Sequence, residues 1–512
     1  MLRKQAVWMV IVAVIAMVVA CPAADRTDAE LNGVVRLYST QQIVSLNVNE
    51  TYTFKLKSGA ARVIRLVSVQ EHRDSVIDLM RRAEVRLEID GRAQDLVCEP
   101  YTMPTEAAGL RVLVDSTAGW KNIPKQVQLS LWDASDPIVD PKSFGFPLLN
   151  YRLLSHGTQA SNEPVYLGAG DGDPQGQRFY HDYGFDTGGF EGRQEVVSAT
   201  EGKIVMFWPS REDLCSVVVQ DENGFLWEYA HLYSVAPEIT LNTHVRQGQK
   251  IGILGKSGPS GNFSHLHLGS YLSRNDLDTG NMNRRLNLYP WMVAAYQAQH
   301  PTGLLAVARP HHTVLAGDKV VLDGGHSLAW GGSRIVKWRW ILPDGRTVKQ
   351  AVAETEFARP GAYVATLWVK DNQGNEDVDF CQIKVFSRAN PEKGMPHIYL
   401  SYIPTEDIRP GQPVRFRGWF QGKGGSGLKV DFGDGTRLAD YQEYAEVQHS
   451  FKTPGVHIVT AQGEAGGRPI TQRVKVVVIC TPAASGVARR QAQFAFLRGT
   501  SNPNLNLFIA RQ

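Results

Sequence analysis

Short stretches of alternating apolar and polar residues run along most of the chain, and Gly, Pro, Asn and Asp separate them. Residues 62–67 and 127–131 are clear examples. A period of two is typical of strands with one buried face, whereas the longer helical period is scarce in this sequence. The pattern therefore predicts a mainly β protein, in which residues 75–83 are an expected short helix.

The chain is longer than one hydrophobic core usually organises, so we expect several domains within its 512 residues. Composition and turn signals change along the sequence, and two similar strand-and-turn units follow each other after residue 305. The predicted units are an N-terminal β-sandwich-like module at 30–135, a linker or wrapping segment at 136–160, a histidine-rich antiparallel-β domain at 161–300, two tandem immunoglobulin-like β-sandwiches at 305–388 and 394–480, and a C-terminal tail at 481–512.

The N-terminus has the pattern of an export signal. Arg3 and Lys4 precede an uncharged, mostly apolar run at residues 6–20, which is short for a membrane span and typical of a signal peptide at 1–24. The run ends at Cys21 in a segment that resembles a bacterial lipoprotein box, so lipid anchoring at Cys21 and ordinary cleavage both stay open. We expect an exported protein of the periplasm, the cell envelope or the secreted fraction.

Composition gives no sign of a polyanionic partner. The chain has 54 Lys and Arg residues against 51 Asp and Glu residues, a formal net charge of +3, so we expect no nucleic-acid partner. The five cysteines lie far apart and form no Cys-x-x-Cys pair, which argues against a thiolate metal site. The chemistry must therefore come from a local group of other residues.

The triplet His265-Leu266-His267 is the strongest candidate for such a group. Residues two apart in a strand project from the same face, so both histidines can enter one groove. His181, Asp186 and His231 lie in separate segments upstream. A catalytic zinc takes about three His, Asp or Glu ligands and leaves a position open for water, whose pKa it lowers. The sequence therefore predicts a zinc hydrolase site.

The segments within residues 180–271 resemble the lysostaphin-type zinc metalloendopeptidases, which hydrolyse peptide bonds in bacterial peptidoglycan. The matching segments are Gly184-Phe185-Asp186, Tyr229-Ala230-His231-Leu232, residues 245–252 and Ser264-His265-Leu266-His267-Leu268. The resemblance implies that His181, Asp186 and His267 hold Zn²⁺, while His231 and His265 act on the nucleophilic water and the transition state. It implies an exported zinc endopeptidase whose substrate is a peptidoglycan cross-link or another peptide.

One departure from that family concerns the first ligand. Four residues separate His181 from Asp186 where the family has three, and an ungapped alignment puts Asp182 in the histidine's place. Because successive strand residues face opposite sides, His181 needs a bulge, which Gly184 would permit. We expect His181 because imidazole suits zinc; the alternative set is Asp182, Asp186 and His267, which is harder and less selective.

The two units after residue 305 resemble PKD domains, which are immunoglobulin-like sandwiches. The resemblance rests on Trp338-Arg339-Trp340 in the first unit and Asp431-Phe432-Gly433-Asp434-Gly435 in the second. It implies a spacing role or binding to a surface polymer. An alternative function follows from the shifted His181: a catalytically degenerate peptidase fold that serves as a binding or regulatory module of the cell envelope.

Overall fold

The computed structural model describes the strand Val34–Arg36 and residues 40–120, 123–166, 179–279, 285–389 and 396–479. The predicted signal peptide with Cys21 and the predicted tail at 481–512 lie outside the described residues. Strands make up 52% and helices 4% of the described residues, so the prediction of a mainly β, multidomain protein is confirmed. Within the described ranges, no helix has the length and apolar character needed to cross a membrane.

The N-terminal module consists of two sheets packed face to face. The strands are β1 (Val34–Arg36), β2 (Gln42–Leu46), β3 (Thr51–Lys55), β4 (Ala61–Arg73), β5 (Met80–Ile89), β6 (Arg92–Cys98), β7 (Thr105–Ala107), β8 (Leu110–Thr117) and β9 (Val127–Asp133). One sheet has the order β1-β2-β9-β8-β7 and the other β3-β4-β5-β6. Apolar side chains of both sheets form one core, as the alternating pattern requires.

The helix expected at residues 75–83 is wrong. Met80 already belongs to β5, and residues 75–77 form a turn. Asp74 shapes that turn, because its Oδ1 accepts the amide protons of Val76 and Ile77 at 2.9 and 3.1 Å. The apolar residues of this segment therefore line a turn and a strand start, although their spacing imitates a helix.

A seven-stranded antiparallel sheet forms the centre of the next unit, with the order β10-β13-β21-β17-β16-β15-β19. A three-stranded sheet, β14-β20-β18, and the pair β11-β12 complete it. The strands are β10 (Thr158–Gln159), β11 (Pro164–Tyr166), β12 (Phe179–His181), β13 (Phe185–Gly188), β14 (Glu195–Val197), β15 (Gly202–Trp208), β16 (Ser216–Asp221), β17 (Leu226–Ala230), β18 (Leu232–Val235), β19 (His244–Val245), β20 (Lys250–Leu254) and β21 (His265–Tyr271).

Two helices, α1 (Arg274–Asp278) and α2 (Tyr289–Gln299), follow the last of these strands. Helix α2 closes the core of the seven-stranded sheet: the Trp291 ring lies 5.6 Å from that of Trp227 and 5.3 Å from that of Phe144. Phe144 belongs to the segment expected as a linker or wrapping segment, and its side chain is fully buried. That segment therefore wraps the sheet and contributes to its core.

The C-terminal part contains two sandwiches. The first has β22 (Gly303–Leu305), β23 (His312–Leu315), β24 (Lys319–Asp323), β25 (Leu328–Trp330), β26 (Ile335–Ile341), β27 (Thr347–Val348), β28 (Val352–Glu356), β29 (Gly361–Asp371) and β30 (Glu376–Phe386). The second has β31 (His397–Ile403), β32 (Pro413–Gln421), β33 (Ser426–Asp431), β34 (Arg437–Leu438), β35 (Val447–Ser450), β36 (Gly455–Ala465) and β37 (Arg468–Val478). A parallel contact between β29 and β37 joins one sheet of each sandwich.

A buried ion pair fastens the two sandwiches together. Lys475 of the second sandwich is 1% exposed, and its Nζ lies 2.7 Å from an Oδ of Asp377 in the first. The same carboxylate accepts the Ala306 amide proton at 2.9 Å. Each charge is thus buried with its partner. Loss of one charge would leave the other unpaired in a medium of low polarity.

We expect Lys475→Met to lower the free energy of unfolding by about 3–5 kcal/mol, because it leaves Asp377 as an uncompensated buried charge. The matched control is Lys370→Met, which breaks an exposed pair with Glu376 of 3.0 Å and should cost less than about 1 kcal/mol. Urea unfolding of the full chain measures both. Equal losses for the two variants would contradict the buried-pair argument.

Candidate active site

The register of β13 and β21 brings the candidate residues together. Asp186 lies directly opposite His267, and on the other side of β21 the last residue of β17, Ala230, also faces His267. Directly opposite residues of antiparallel strands share a face, so Asp186 and His267 project together, and His265 joins them two residues earlier. His231 follows β17 with a φ of 62°, a conformation uncommon for a residue with a side chain.

Asp182, Asp186 and His267 form a group able to hold a metal ion. Nδ1 of His267 lies 2.7 Å from Oδ1 of Asp186 and 4.0 Å from Oδ1 of Asp182, and one ligand atom from each residue falls within 4.8 Å of the others. The Gly184 amide donates to Asp182 Oδ1 at 2.9 Å. The buried Oδ2 of Asp182 has no hydrogen-bond partner, as expected of a metal-ligand oxygen.

The electrostatics of the two carboxylates agree with this. Burial raises the pKa of Asp186 to about 8. Burial, and then the charge of Asp186, raise the pKa of Asp182 well above its usual value. Two buried carboxylates are unfavourable together as anions, and a bound divalent cation removes that penalty because it favours the ionised forms. Two carboxylates and one imidazole therefore fit a divalent cation such as Zn²⁺.

His231 and His265 lie beside this group with their rings 4.6 Å apart. Nδ1 of His231 donates to the Ser257 carbonyl oxygen, and Nδ1 of His265 to that of Phe263, each at 2.7 Å. A carbonyl oxygen only accepts, so each neutral ring keeps its lone pair on Nε2. Burial lowers the pKa of His231 to about 4 and that of His265 well below its usual value. Both rings are therefore neutral proton acceptors at pH 7.

The contact between His265 and Asp186 is compatible with a cation. Nε2 of His265 lies 3.3 Å from Oδ2 of Asp186. With the His265 proton on Nδ1, the nitrogen lone pair faces a carboxyl oxygen, so either a proton on Asp186 or a cation near both atoms must stand between them.

The structure does not bring His181 to this group. Its buried ring reaches the N-terminal module, where Nε2 donates to the Met80 carbonyl oxygen at 3.1 Å. Asp182 is fixed just beyond the pairing of β11 and β12, because its amide donates to the Glu163 carbonyl oxygen and its carbonyl oxygen accepts from the Asn162 amide. Alternation then turns His181 away and Asp182 inward. The geometry thus favours the second ligand set of the sequence analysis.

Arg285 is a neighbour of the site that sequence reasoning missed. Its side chain is 1% exposed, and one guanidinium nitrogen lies 3.4 Å from Nε2 of His267. It also donates to the Tyr271 hydroxyl at 2.5 Å and lies 3.5 Å from Glu228 Oε2. A single arginine that belongs to no motif cannot be recognised as part of a site from one sequence. Its charge stands on the side of His267 opposite the carboxylates.

The second sandwich holds the loop that leads into His265. The Tyr399 hydroxyl donates to the Ser264 carbonyl oxygen at 2.6 Å and accepts the Gly189 amide proton at 3.1 Å. The Phe263 ring lies 5.3 Å from that of Tyr399 and stacks on His265 with ring centroids 4.3 Å apart. Residues 396–479 therefore orient a candidate catalytic histidine, a contact that no local motif could reveal.

The described residues form a β domain with a candidate metal site, joined to immunoglobulin-like modules. Residues 180–279 match the model of peptidase family M23, and residues 305–385 match the model of the PKD domain. The chain therefore contains a peptidase family M23 domain followed by a PKD domain, and the recognition made from the sequence is confirmed. No curated protein matches the chain.

Solved structures similar to parts of the chain include three of interest. A putative glycyl-glycine endopeptidase LytM from Ruminococcus gnavus is 24% identical over 30% of this chain and 61% of its own, with a TM-score of 0.21. Lysostaphin from Staphylococcus simulans is 15% identical over 48% of this chain and 99% of its own, with a TM-score of 0.20. The PKD1 domain of the Vibrio cholerae metalloprotease PrtV is 22% identical over 16% of this chain and 93% of its own, with a TM-score of 0.13.

Gly184→Ala tests the close packing around His267. A Cβ at Gly184 would lie 2.6 Å from Cε1 of His267 and 2.6 Å from the Leu268 carbonyl oxygen, so the ring and the strand must move. We expect the free energy of unfolding to fall by about 1–3 kcal/mol. Gly325→Ala is the control, because its Cβ meets only the Asp323 side chain. Urea unfolding that shows no difference between the two variants would contradict this packing.

Proposed function

We propose that the chain is an exported zinc endopeptidase that hydrolyses peptide bonds in peptidoglycan cross-links. The observation that carries the proposal is the convergence of Asp182, Asp186 and His267 with two neutral imidazoles inside a peptidase family M23 domain. Such a set combines a candidate metal site with proton acceptors, which metal-assisted hydrolysis requires. The resemblance to lysostaphin-type enzymes supports peptidoglycan as the substrate.

Asp182, Asp186 and His267 would hold the ion. A bound Zn²⁺ supplies a water molecule of lowered pKa and polarises the carbonyl of the scissile peptide bond. His231 and His265 are the candidate catalytic residues: each offers Nε2 to the water proton, and the protonated form stabilises charge on the carbonyl oxygen. The carbonyl groups of Ser257 and Phe263 keep both rings in the required tautomer.

The remaining parts of the proposal concern location. The apolar run at residues 6–20 supports export, either with a lipid anchor at Cys21 or as a freely secreted protein. The PKD-type units support placement of the peptidase domain on a surface polymer.

A second candidate function has its own support. Asp182 makes the ligand set harder than a two-histidine set, and Arg285 brings a buried positive charge to 3.4 Å from His267. Both features weaken the site for zinc. A catalytically degenerate peptidase fold, acting as a binding or regulatory module of the cell envelope, would tolerate them.

Release of peptides from purified peptidoglycan decides between these functions. We expect the full chain with zinc to hydrolyse peptidoglycan. His231→Ala and His265→Ala should each lower kcat/KM at least about 100-fold, because each variant removes one proton acceptor. His244→Ala, at an exposed site, is the control and should retain activity. A folded, zinc-loaded chain that releases nothing from any peptidoglycan would reject the enzyme and favour the degenerate module.

Zinc binding by two neighbouring variants tests the ligand set. We expect Asp182→Ala to weaken zinc affinity more than about 10-fold. Loss of a residue that only hydrogen-bonds to a ligand already costs at least about that much, and loss of a ligand should cost more. His181→Gln keeps a donor for the Met80 carbonyl oxygen and should bind zinc as the parent does. Equilibrium dialysis with metal analysis measures both. The reverse order of affinities would restore His181 as the ligand.

A further inference from the structure

A small cleft of about 80 Å³ lies where the peptidase domain meets both sandwiches. Its walls come from the ends of β10–β12 and the loop before β21 in the peptidase domain, from β23 and β30 in the first sandwich, and from β31 and β32 in the second. It is partly open to solvent. None of the proposed catalytic steps uses this cleft.

The cleft begins next to the candidate catalytic residues. Gln159, which lines it, pairs with Asp186 across β10 and β13 and shares its face, at the strand spacing of about 4.8 Å. Phe263, which also lines it, stacks on His265 at 4.3 Å between ring centroids. A peptide with its scissile bond at His265 therefore reaches the cleft within one or two residues.

The most unusual group in the cleft is Lys384. The ammonium of this half-buried residue donates to the Tyr166 carbonyl oxygen at 3.3 Å and lies 5.3 Å from the centroid of the Tyr166 ring. Among the described residues no carboxylate forms a salt bridge with Lys384, and the charge of Glu163 acts on its ammonium from further away. Desolvation lowers the pKa of Lys384 to about 8, so the group is still mainly charged at pH 7. An ammonium with this environment has no counter-ion in direct contact.

Glu163 also lines the cleft, but its carboxylate is already engaged. Oε2 accepts from the Tyr101 hydroxyl at 2.6 Å, and Oε1 accepts the His311 amide proton at 3.1 Å. Burial raises the pKa of Glu163, and its charge favours the Lys384 ammonium only from a distance. The positive charge of the cleft is thus available to a ligand.

Neutral hydrogen-bonding groups surround the ammonium. Burial lowers the pKa of His312 to about 3, and the pKa values of His311 and His397 fall well below the usual value, so these imidazoles are uncharged. The buried Nδ1 of His397 has no hydrogen-bond partner. Carboxamides of Gln382 and Gln472 complete the wall. Uncharged donors and acceptors of this kind suit a peptide chain.

We propose that this cleft is a subsite that binds a carboxylate-bearing residue of the peptide substrate, one or two residues from the scissile bond, with Lys384 as the counter-ion. The proposal rests on the proposed function, which places a peptide at His265. Lys384 belongs to the first sandwich and His397 to the second, so both PKD-type units contribute directly to substrate selection. Their role then goes beyond spacing.

The test compares two probes that differ only in charge: N-acetyl-tetraalanine with a free carboxylate and its C-terminal amide. Binding is measured by calorimetry on the full chain carrying His265→Ala, so that the probe is not consumed. We expect the carboxylate to bind at least about 10-fold more tightly than the amide, the usual worth of a hydrogen bond to a charged group. Lys384→Met should abolish this preference, and Lys384→Arg should retain it.

Lys319→Met is the matched control, because Lys319 pairs with Glu354 on the exposed face of the same sandwich. It should leave the preference intact. Lys384→Met should melt no lower than the parent, since it replaces an uncompensated charge with an apolar side chain of similar length. A melting temperature well below the parent would assign Lys384 a structural role and overturn the proposal.

The outcomes separate the subsite from the proposed function. A preference for the carboxylate that disappears in Lys384→Met supports the subsite even if the parent chain hydrolyses no peptidoglycan, in which case the proposed function alone fails. Hydrolysis by the parent chain with a carboxylate preference unchanged in folded Lys384→Met overturns the subsite alone. In an active chain the variant should raise KM for carboxylate-bearing peptides and leave kcat unchanged.

Discussion

The site depends on the register between β13 and β21. The period of a strand is two, so a slip of one residue would turn His267 into the core and Leu266 into the groove. Phe185, Leu266 and Leu268 prevent this, since all three are fully buried on the core side of these strands. Each contributes about 1.5–3 kcal/mol by burial, more than any single polar contact of the site. Core packing thus fixes the chemistry.

The arrangement of charges within the site costs stability. Two carboxylates, three imidazoles and the Arg285 guanidinium lie close together and largely shielded from water. Groups with strongly perturbed pKa values cluster at functional sites because function selects for them against stability. A cation bound by the folded state and not by the unfolded chain reverses part of this cost by mass action.

Sequence reasoning could reach the parts of the site that lie in one strand. The alternation around Leu266 places His265 and His267 on one face, and the family resemblance adds Asp186 and His231. The choice between His181 and Asp182 was beyond it, because that choice depends on the hydrogen bonds that Asp182 makes with Asn162 and Glu163, which belong to another segment. Arg285 and Tyr399 contact the site only through tertiary packing, so no local sequence pattern predicts their position.

Tyr399 has a consequence for how the chain could have been assembled and recombined. Its hydroxyl adds hydrogen bonds to the Gly189 amide and to the Ser264 carbonyl oxygen, which also bond each other at 3.0 Å, and its ring packs against Phe263. The second sandwich therefore behaves as an integral part of the peptidase. Exchange of this sandwich for another immunoglobulin-like module would keep the architecture but lose the Tyr399 contacts that hold the loop before His265.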